Sequence, residues 1–142
     1  MIKAIKATLW VVRVTGVVQV VLGLMFWSGR QLALVPAHMA IGLAFVLGLW
    51  TLAALAARGR IGTVPVAVVA LWGAFVLWLG MTQGSLLPGR MHWVVKVLHL
   101  AVGWAAMVFA NVLAKRSTQR LRIPSLSHPR PSGSAEGSLT AS

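Results

Sequence analysis

Long apolar runs separated by short polar breaks occupy the first 114 residues of the chain. Four runs stand out, at about 4–27, 32–57, 61–83 and 91–114, and the breaks between them contain SGRQ, ARGR and GSLLPGR. Each run supplies the ~20 apolar residues that a helix needs to cross a bilayer. Because the connections are short, consecutive helices must run antiparallel. The pattern predicts an all-α fold, a transmembrane up-down four-helix bundle.

The composition places the chain in a lipid bilayer and excludes several kinds of chemistry. Of its 142 residues, 58% are hydrophobic and 10% charged, which is outside the range of ordinary soluble domains. There is no cysteine, so iron–sulfur clusters and covalent c-type haem are excluded. The only acidic residue is Glu136, so catalysis by a carboxylate pair is not expected.

Lysine and arginine are concentrated at one set of helix ends. The net charge is +12, but the basic residues follow the ends of the apolar runs instead of forming one folded face, so nucleic acid is not an expected partner. One side has Lys3, Lys6, Arg58, Arg60, Lys115, Arg116, Arg120 and Arg122, and the other has Arg30 and Arg90. The positive-inside rule then predicts a multi-pass protein of the bacterial inner membrane with both termini in the cytoplasm.

The composition changes at Lys115. Residues 1–114 form the predicted transmembrane domain, whereas residues 115–142 are basic and rich in Ser, Pro and Gly. Such a segment buries too little apolar surface to fold, which predicts a disordered cytoplasmic tail. Its basic first part, 115–122, is expected to lie against anionic headgroups.

Two histidines lie inside the apolar runs at similar depths. At 1.5 Å per residue from the predicted helix starts, His38 is about 9 Å and His99 about 12 Å below the same membrane face. Their helices run parallel and are diagonal in a square bundle, about 11–14 Å apart. Ionisable residues within a membrane are candidates for function. The spacing suits a flat macrocycle with one axial histidine on each face, which predicts His38 and His99 as metal ligands.

A glycine follows each histidine by four residues. Gly42 and Gly103 therefore lie one helical turn from His38 and His99 on the same face, and the missing side chains leave room for the edge of a porphyrin. The stretches HMAIGLA and HLAVGWA share this pattern, which suggests a duplicated two-helix unit. A competing alignment of LVPAHM with LLPGRM pairs His38 with Arg90 instead.

Other polar residues on the same side of the membrane are candidates for holding a cofactor. Lys96 is one turn from His99, where it could pair with a haem propionate or simply extend toward the interface. Arg90 or Arg30 could serve the other propionate, and His92 is expected at the interface. Gln19 could hydrogen-bond a cofactor or quinone, or cross-link two helices.

With HMAIG at 38–42 and HLAVG at 99–103, the chain resembles the small four-helix membrane cytochromes b. Residues 16–38 are also similar to one half of bacterial haem A synthase, and the resemblance covers about residues 9–114. It implies one b-type haem held axially by the two histidines. Haem A synthase has two such halves and an acidic residue near its active site; this chain has one half and no membrane acid, so the synthase reaction is not expected of a single chain.

Three functions therefore remain open. The first is a haem b protein that carries single electrons, with quinol or a redox partner protein as the other reactant; six-coordinate iron leaves no open position, so a stand-alone enzyme is not expected. The second is a structural or accessory subunit of a larger membrane complex, without a cofactor. The third is a path for protons or small ligands along His38, His99 and Lys96.

Overall fold

The structure, a computed structural model, describes residues 1–29 and 31–122 apart from the side chain of Leu32. Within these residues the chain forms four α-helices and no strand. They are α1 (Ile2–Trp27), α2 (Val35–Arg58), α3 (Thr63–Thr82) and α4 (His92–Arg122), and a 3₁₀ turn, Leu32–Leu34, precedes α2. Arg30 and the predicted disordered tail beyond Arg122 lie outside the described residues.

The helices form the predicted bundle. Each helix contacts the next along the chain, α1 contacts α4, and α2 also contacts α4 across the diagonal. We name the end that holds Met1, the α2–α3 turn and Arg122 the terminal end, and the other end the opposite end. All four helices are long and apolar enough to cross a membrane. Large apolar side chains also cover the outside, including Leu71 at 71% and Trp104 at 60% exposure. The chain is therefore a multi-pass membrane protein whose outer surface suits lipid.

Helix α4 is longer than its apolar run predicts. The predicted end was near residue 114, but the helix continues to Arg122. One face of this extension packs against the bundle, since Ser117 is 1% exposed and Leu121 packs against the buried core, and the Ser117 hydroxyl donates to the Leu113 carbonyl at 2.8 Å. The basic residues occupy the other face. An amphipathic helix thus replaces the predicted start of the tail.

The turn between α2 and α3 closes with a left-handed residue. Arg60 has φ +54°, its N–H donates to the Ala57 carbonyl at 3.0 Å, and the next N–H, of Ile61, donates to the Ala56 carbonyl at 3.2 Å. These two bonds form a Schellman motif, which satisfies carbonyls at the helix end. Glycine is preferred at the left-handed position, yet Gly59 lies one residue earlier.

Small residues bring the helices close together. A Cβ atom added at Gly48 of α2 would lie 2.8 Å from Cγ2 of Val12 in α1, and Val12 is completely buried. Alanines occupy similar positions, since Ala56, Ala106 and Ala110 are at most 1% exposed. Close approach through small residues is how membrane helices gain packing energy without a hydrophobic drive.

We expect Gly48→Ala to destabilise the bundle by about 1–3 kcal/mol, because the β-branched Val12 cannot rotate away from the new methyl group. The measurement is the free energy of unfolding in mixed micelles. Gly23→Ala is the matched control: it is also helical, but a Cβ there meets nothing within 4 Å, so it should be neutral or slightly stabilising. Equal losses of unfolding free energy in Gly48→Ala and Gly23→Ala would contradict the close contact between α1 and α2.

Candidate functional site

His38 and His99 converge inside the bundle. His38 lies in the first turn of α2 and His99 in the second turn of α4, so both are near the opposite end. Their ring centroids are 6.5 Å apart and the ring planes are inclined by 50°. Both side chains are partly buried. Direct packing of α2 against α4 across the diagonal brings the two rings together.

Three polar atoms in this region are buried without a hydrogen-bond partner in the described part of the chain. They are Nδ1 of His38, Nδ1 of His99 and Oε1 of Gln19. An unsatisfied buried polar atom costs about 1–3 kcal/mol, and each such atom in a folded protein needs an explanation. The imidazole nitrogens are also good ligands for iron, copper or zinc when neutral.

Aromatic and glycine residues surround the histidine pair. The ring of Phe26 meets His38 edge-on, with centroids 5.3 Å apart and planes at 73°. On the other side, a Cβ at Gly80 of α3 would lie 3.3 Å from Cε1 of His99. The sequence alone does not indicate Phe26 or Gly80 as site residues, because both are common in apolar membrane helices. Only the rotation of each helix about its axis places them beside the histidines.

The two predicted glycines differ in their surroundings. The space that a side chain at Gly42 would fill is occupied by the amide of Gln19 from α1. At Gly103, a Cβ would meet nothing within 4 Å. The structure therefore brings Gln19 and Gly42 together, one turn from His38, while the open space predicted beside both histidines is present only at Gly103.

The remaining predicted residues lie toward the opposite end. Lys96 is exposed on α4, three residues before His99, and Arg90 is exposed in the α3–α4 connection. His92 is partly buried, and its Nδ1 is 3.3 Å from the Leu86 carbonyl oxygen, which places it in a loop contact.

A second polar contact lies nearer the terminal end and was missed. Arg13 of α1 donates from both Nε and Nη2 to Oδ1 of Asn111 in α4, and Nε is 2.9 Å from that oxygen. From the sequence alone, the position of Arg13 nearer the cytoplasmic end of its apolar run predicts instead that its side chain extends toward phosphates at the inner membrane surface. A lone asparagine in an apolar run was the available signal, since such a residue usually has a partner on another helix.

The histidine pair supplies two candidate ligands for a metal ion. Among the described residues, no group of three or more His, Cys, Asp or Glu side chains could hold a metal. A structural zinc site takes four protein ligands and a catalytic one takes three. Two imidazoles therefore suit a metal that brings most of its ligands with it.

No family model, curated protein or solved structure matches this chain. The resemblance to small membrane cytochromes b and to half of haem A synthase therefore stays a prediction.

We expect His38→Leu and His99→Leu to leave the ligand-free bundle equally stable or more stable, because each removes an unpartnered Nδ1 from an apolar interior. Trp72→Phe is the contrasting control, since it removes the 3.0 Å hydrogen bond from the Trp72 indole to the Val102 carbonyl and should cost about 0.5–1.5 kcal/mol. Unfolding in mixed micelles measures all three. Losses above about 2 kcal/mol in the histidine variants would mean that the histidines hold the helices together.

Proposed function

We propose that this protein binds one non-covalent haem b in the membrane, with His38 and His99 as the two axial ligands, and that it transfers single electrons. The observation that carries the proposal is the convergence of two imidazoles from diagonal helices, each with a buried and unpartnered nitrogen. A cofactor in the bundle core, held by side chains from facing helices, is the usual arrangement for four-helix haem proteins.

The separation of the rings supports one metal atom between them. Two metal–nitrogen bonds of about 2 Å each, together with the radii of two imidazole rings, give a centroid separation of about 6 Å. The observed centroid separation is 6.5 Å. Because haem iron already has four equatorial ligands in its macrocycle, two histidines are enough to complete its coordination.

The surroundings supply several of the contacts that a haem needs. Gly103 leaves open space beside its helix. Gln19 fills the matching space at Gly42, so we propose that its flexible amide turns aside and hydrogen-bonds the bound group. Lys96 and Arg90 are exposed toward the opposite end, where they can pair with propionates. No Asp or Glu occurs in residues 1–135 to compete for these cations.

Haem supplies reversible one-electron chemistry when it is bound. Two histidine ligands leave no free coordination position, so the proposed role is electron transfer rather than oxygen chemistry. The helices hold the imidazoles rigidly. Phe26 packs edge-on against His38 and helps to exclude water from the site. An apolar environment of this kind influences the reduction potential of a haem. The histidines lie close to the opposite end, so quinol or a redox partner protein would exchange electrons there.

The second candidate is a structural or accessory subunit of a membrane complex. The packing of Gln19 against Gly42 favours it, because this contact fills the interior without any cofactor. The Trp50 indole also joins α2 to α3 through a 3.0 Å hydrogen bond to the Ala70 carbonyl. In this case the histidines would only pack against each other.

The optical spectrum of the full chain tests the haem proposal. Expressed with haem supplied and purified in mild detergent, the protein should show a Soret band and, after dithionite reduction, sharp visible bands typical of six-coordinate haem b. His38→Ala and His99→Ala should each lower the haem-to-protein ratio severalfold. His92→Ala is the matched control and should keep the spectrum, because the Nδ1 atom of His92 lies 3.3 Å from the Leu86 carbonyl oxygen in the α3–α4 connection. A protein with no Soret band, or one whose band survives in both ligand variants, would refute the proposal.

We also propose that the protein lies in the bacterial inner membrane with both termini in the cytoplasm. Among the described residues, basic side chains are concentrated at the terminal end, while Arg90 and Lys96 lie toward the opposite end. Such an imbalance sets the orientation of membrane helices.

Single cysteines test this orientation cleanly, because the chain contains none. Ser85→Cys in the α3–α4 connection should react with a membrane-impermeant maleimide in intact spheroplasts. Thr63→Cys at the start of α3 should react only after the membrane is opened. Both positions are exposed, so a difference in labelling reports sidedness. The reverse pattern would show that the termini face outward.

A further inference from the structure

A basic groove runs between α1 and α4 at the terminal end, away from the histidine pair. Its volume is about 450 Å³. Its polar lining comprises Lys6, Arg13, Asn111, Lys115, Thr118, Gln119 and Arg122. Four of these seven residues are cations, and they come from two helices that are far apart in sequence. We name this feature the α1–α4 groove.

Helical spacing builds each wall of the groove. On α4, residues 111, 115, 118 and 122 follow one another at intervals of four, three and four, so they share one face. On α1, Lys6 and Arg13 are seven residues apart and also share a face. The extension of α4 beyond residue 114 is what brings Lys115 and Arg122 alongside α1.

Arg13 gives this groove an uncompensated charge. It lies about 16 Å along α1 from the first helical residue, well within the membrane-spanning helix. A guanidinium stays charged in proteins and has five N–H donors. Only two of its nitrogens donate to Asn111, and that partner is a neutral amide. The charge of Arg13 therefore needs an anion that this contact does not supply.

The protein itself provides no such anion in the described residues. The single acidic side chain of the whole sequence is Glu136, which lies beyond them. Lys6, Lys115 and Arg122 thus surround the groove without a carboxylate among the described residues. A ligand with a negative phosphate would satisfy all four cations through charge-assisted hydrogen bonds.

We propose that the α1–α4 groove binds the phosphate of an anionic glycerophospholipid. Ile5, Leu9 and Ala114 also line the groove; Ile5 and Ala114 are buried, so the partly exposed Leu9 supplies most of the apolar wall that an acyl chain can contact. Basic pockets between membrane helices, near the cytoplasmic surface, bind such headgroups. This apolar wall, and the position of Arg13 within the span, favour a lipid over a free phosphate ion.

Native mass spectrometry of the full chain in detergent tests the site. Phosphatidylglycerol and phosphatidylcholine with the same acyl chains are titrated separately. The wild-type protein should bind phosphatidylglycerol more tightly and with a defined first site. In the groove variant K6Q/K115Q, the apparent Kd of that site should rise roughly tenfold to thirtyfold.

The matched control is K3Q/R58Q, which removes the same charge from the same end of the bundle but at exposed positions outside the groove. It should change the apparent Kd by less than about threefold. R122Q, a single change in the groove, should raise the apparent Kd by an intermediate amount. It keeps the test valid if the double variant misfolds.

Three results would overturn the proposal. Equal binding of the two lipids would show that the negative headgroup is not recognised. Equal weakening in K6Q/K115Q and K3Q/R58Q would show general attraction to the basic end. Displacement of phosphatidylglycerol by millimolar inorganic phosphate would identify a free anion as the ligand. None of these measurements depends on haem.

Discussion

Close contact between helix backbones is the constraint on which the rest of the structure depends. In lipid there is no hydrophobic force to press apolar helices together, so association relies on tight packing and a few hydrogen bonds. Gly48 against Val12, and the buried Ala106 and Ala110, provide that packing. Because only small residues allow it, they also determine which face of each helix turns inward. The rotations of α2 and α4 that point His38 and His99 at each other follow from this packing.

The polar groups inside the bundle form two separate centres with different chemistry. Near the opposite end, Gln19, His38 and His99 present neutral nitrogen and oxygen atoms that can bind a metal or share a hydrogen bond. Nearer the terminal end, Arg13 and Asn111 present a positive charge that an imidazole cannot offset. Their levels differ by about 9 Å along α1, the rise between Arg13 and Gln19. The proposed cofactor site and the proposed lipid site are therefore separate and would not compete.

Much of the fold was predictable because hydrocarbon imposes a simple rule. Each spanning segment must satisfy its own backbone hydrogen bonds, so a long apolar run becomes a helix and short breaks become turns. Polar side chains are costly to bury in lipid, so His38, His99 and Gln19 could be identified from the sequence as candidate site residues. The extension of α4 was less visible, since its inward face has only Ser117 and Leu121 within a polar segment. The basic side chains on its other face concealed the helical pattern.

The sequence by itself determined the four apolar helices, their antiparallel order and the position of each ionisable residue along its helix, because these depend on composition and on a fixed rise per residue. Only the tertiary structure decided the partners across helices. It put the amide of Gln19 into the space at Gly42, left Gly103 open, and joined Arg13 to Asn111. Helices that are apolar on every side carry no strong signal for rotation about their axes. That rotation is set where small residues of two helices pack against each other. The sequence of one helix does not show which residues of another helix it will contact.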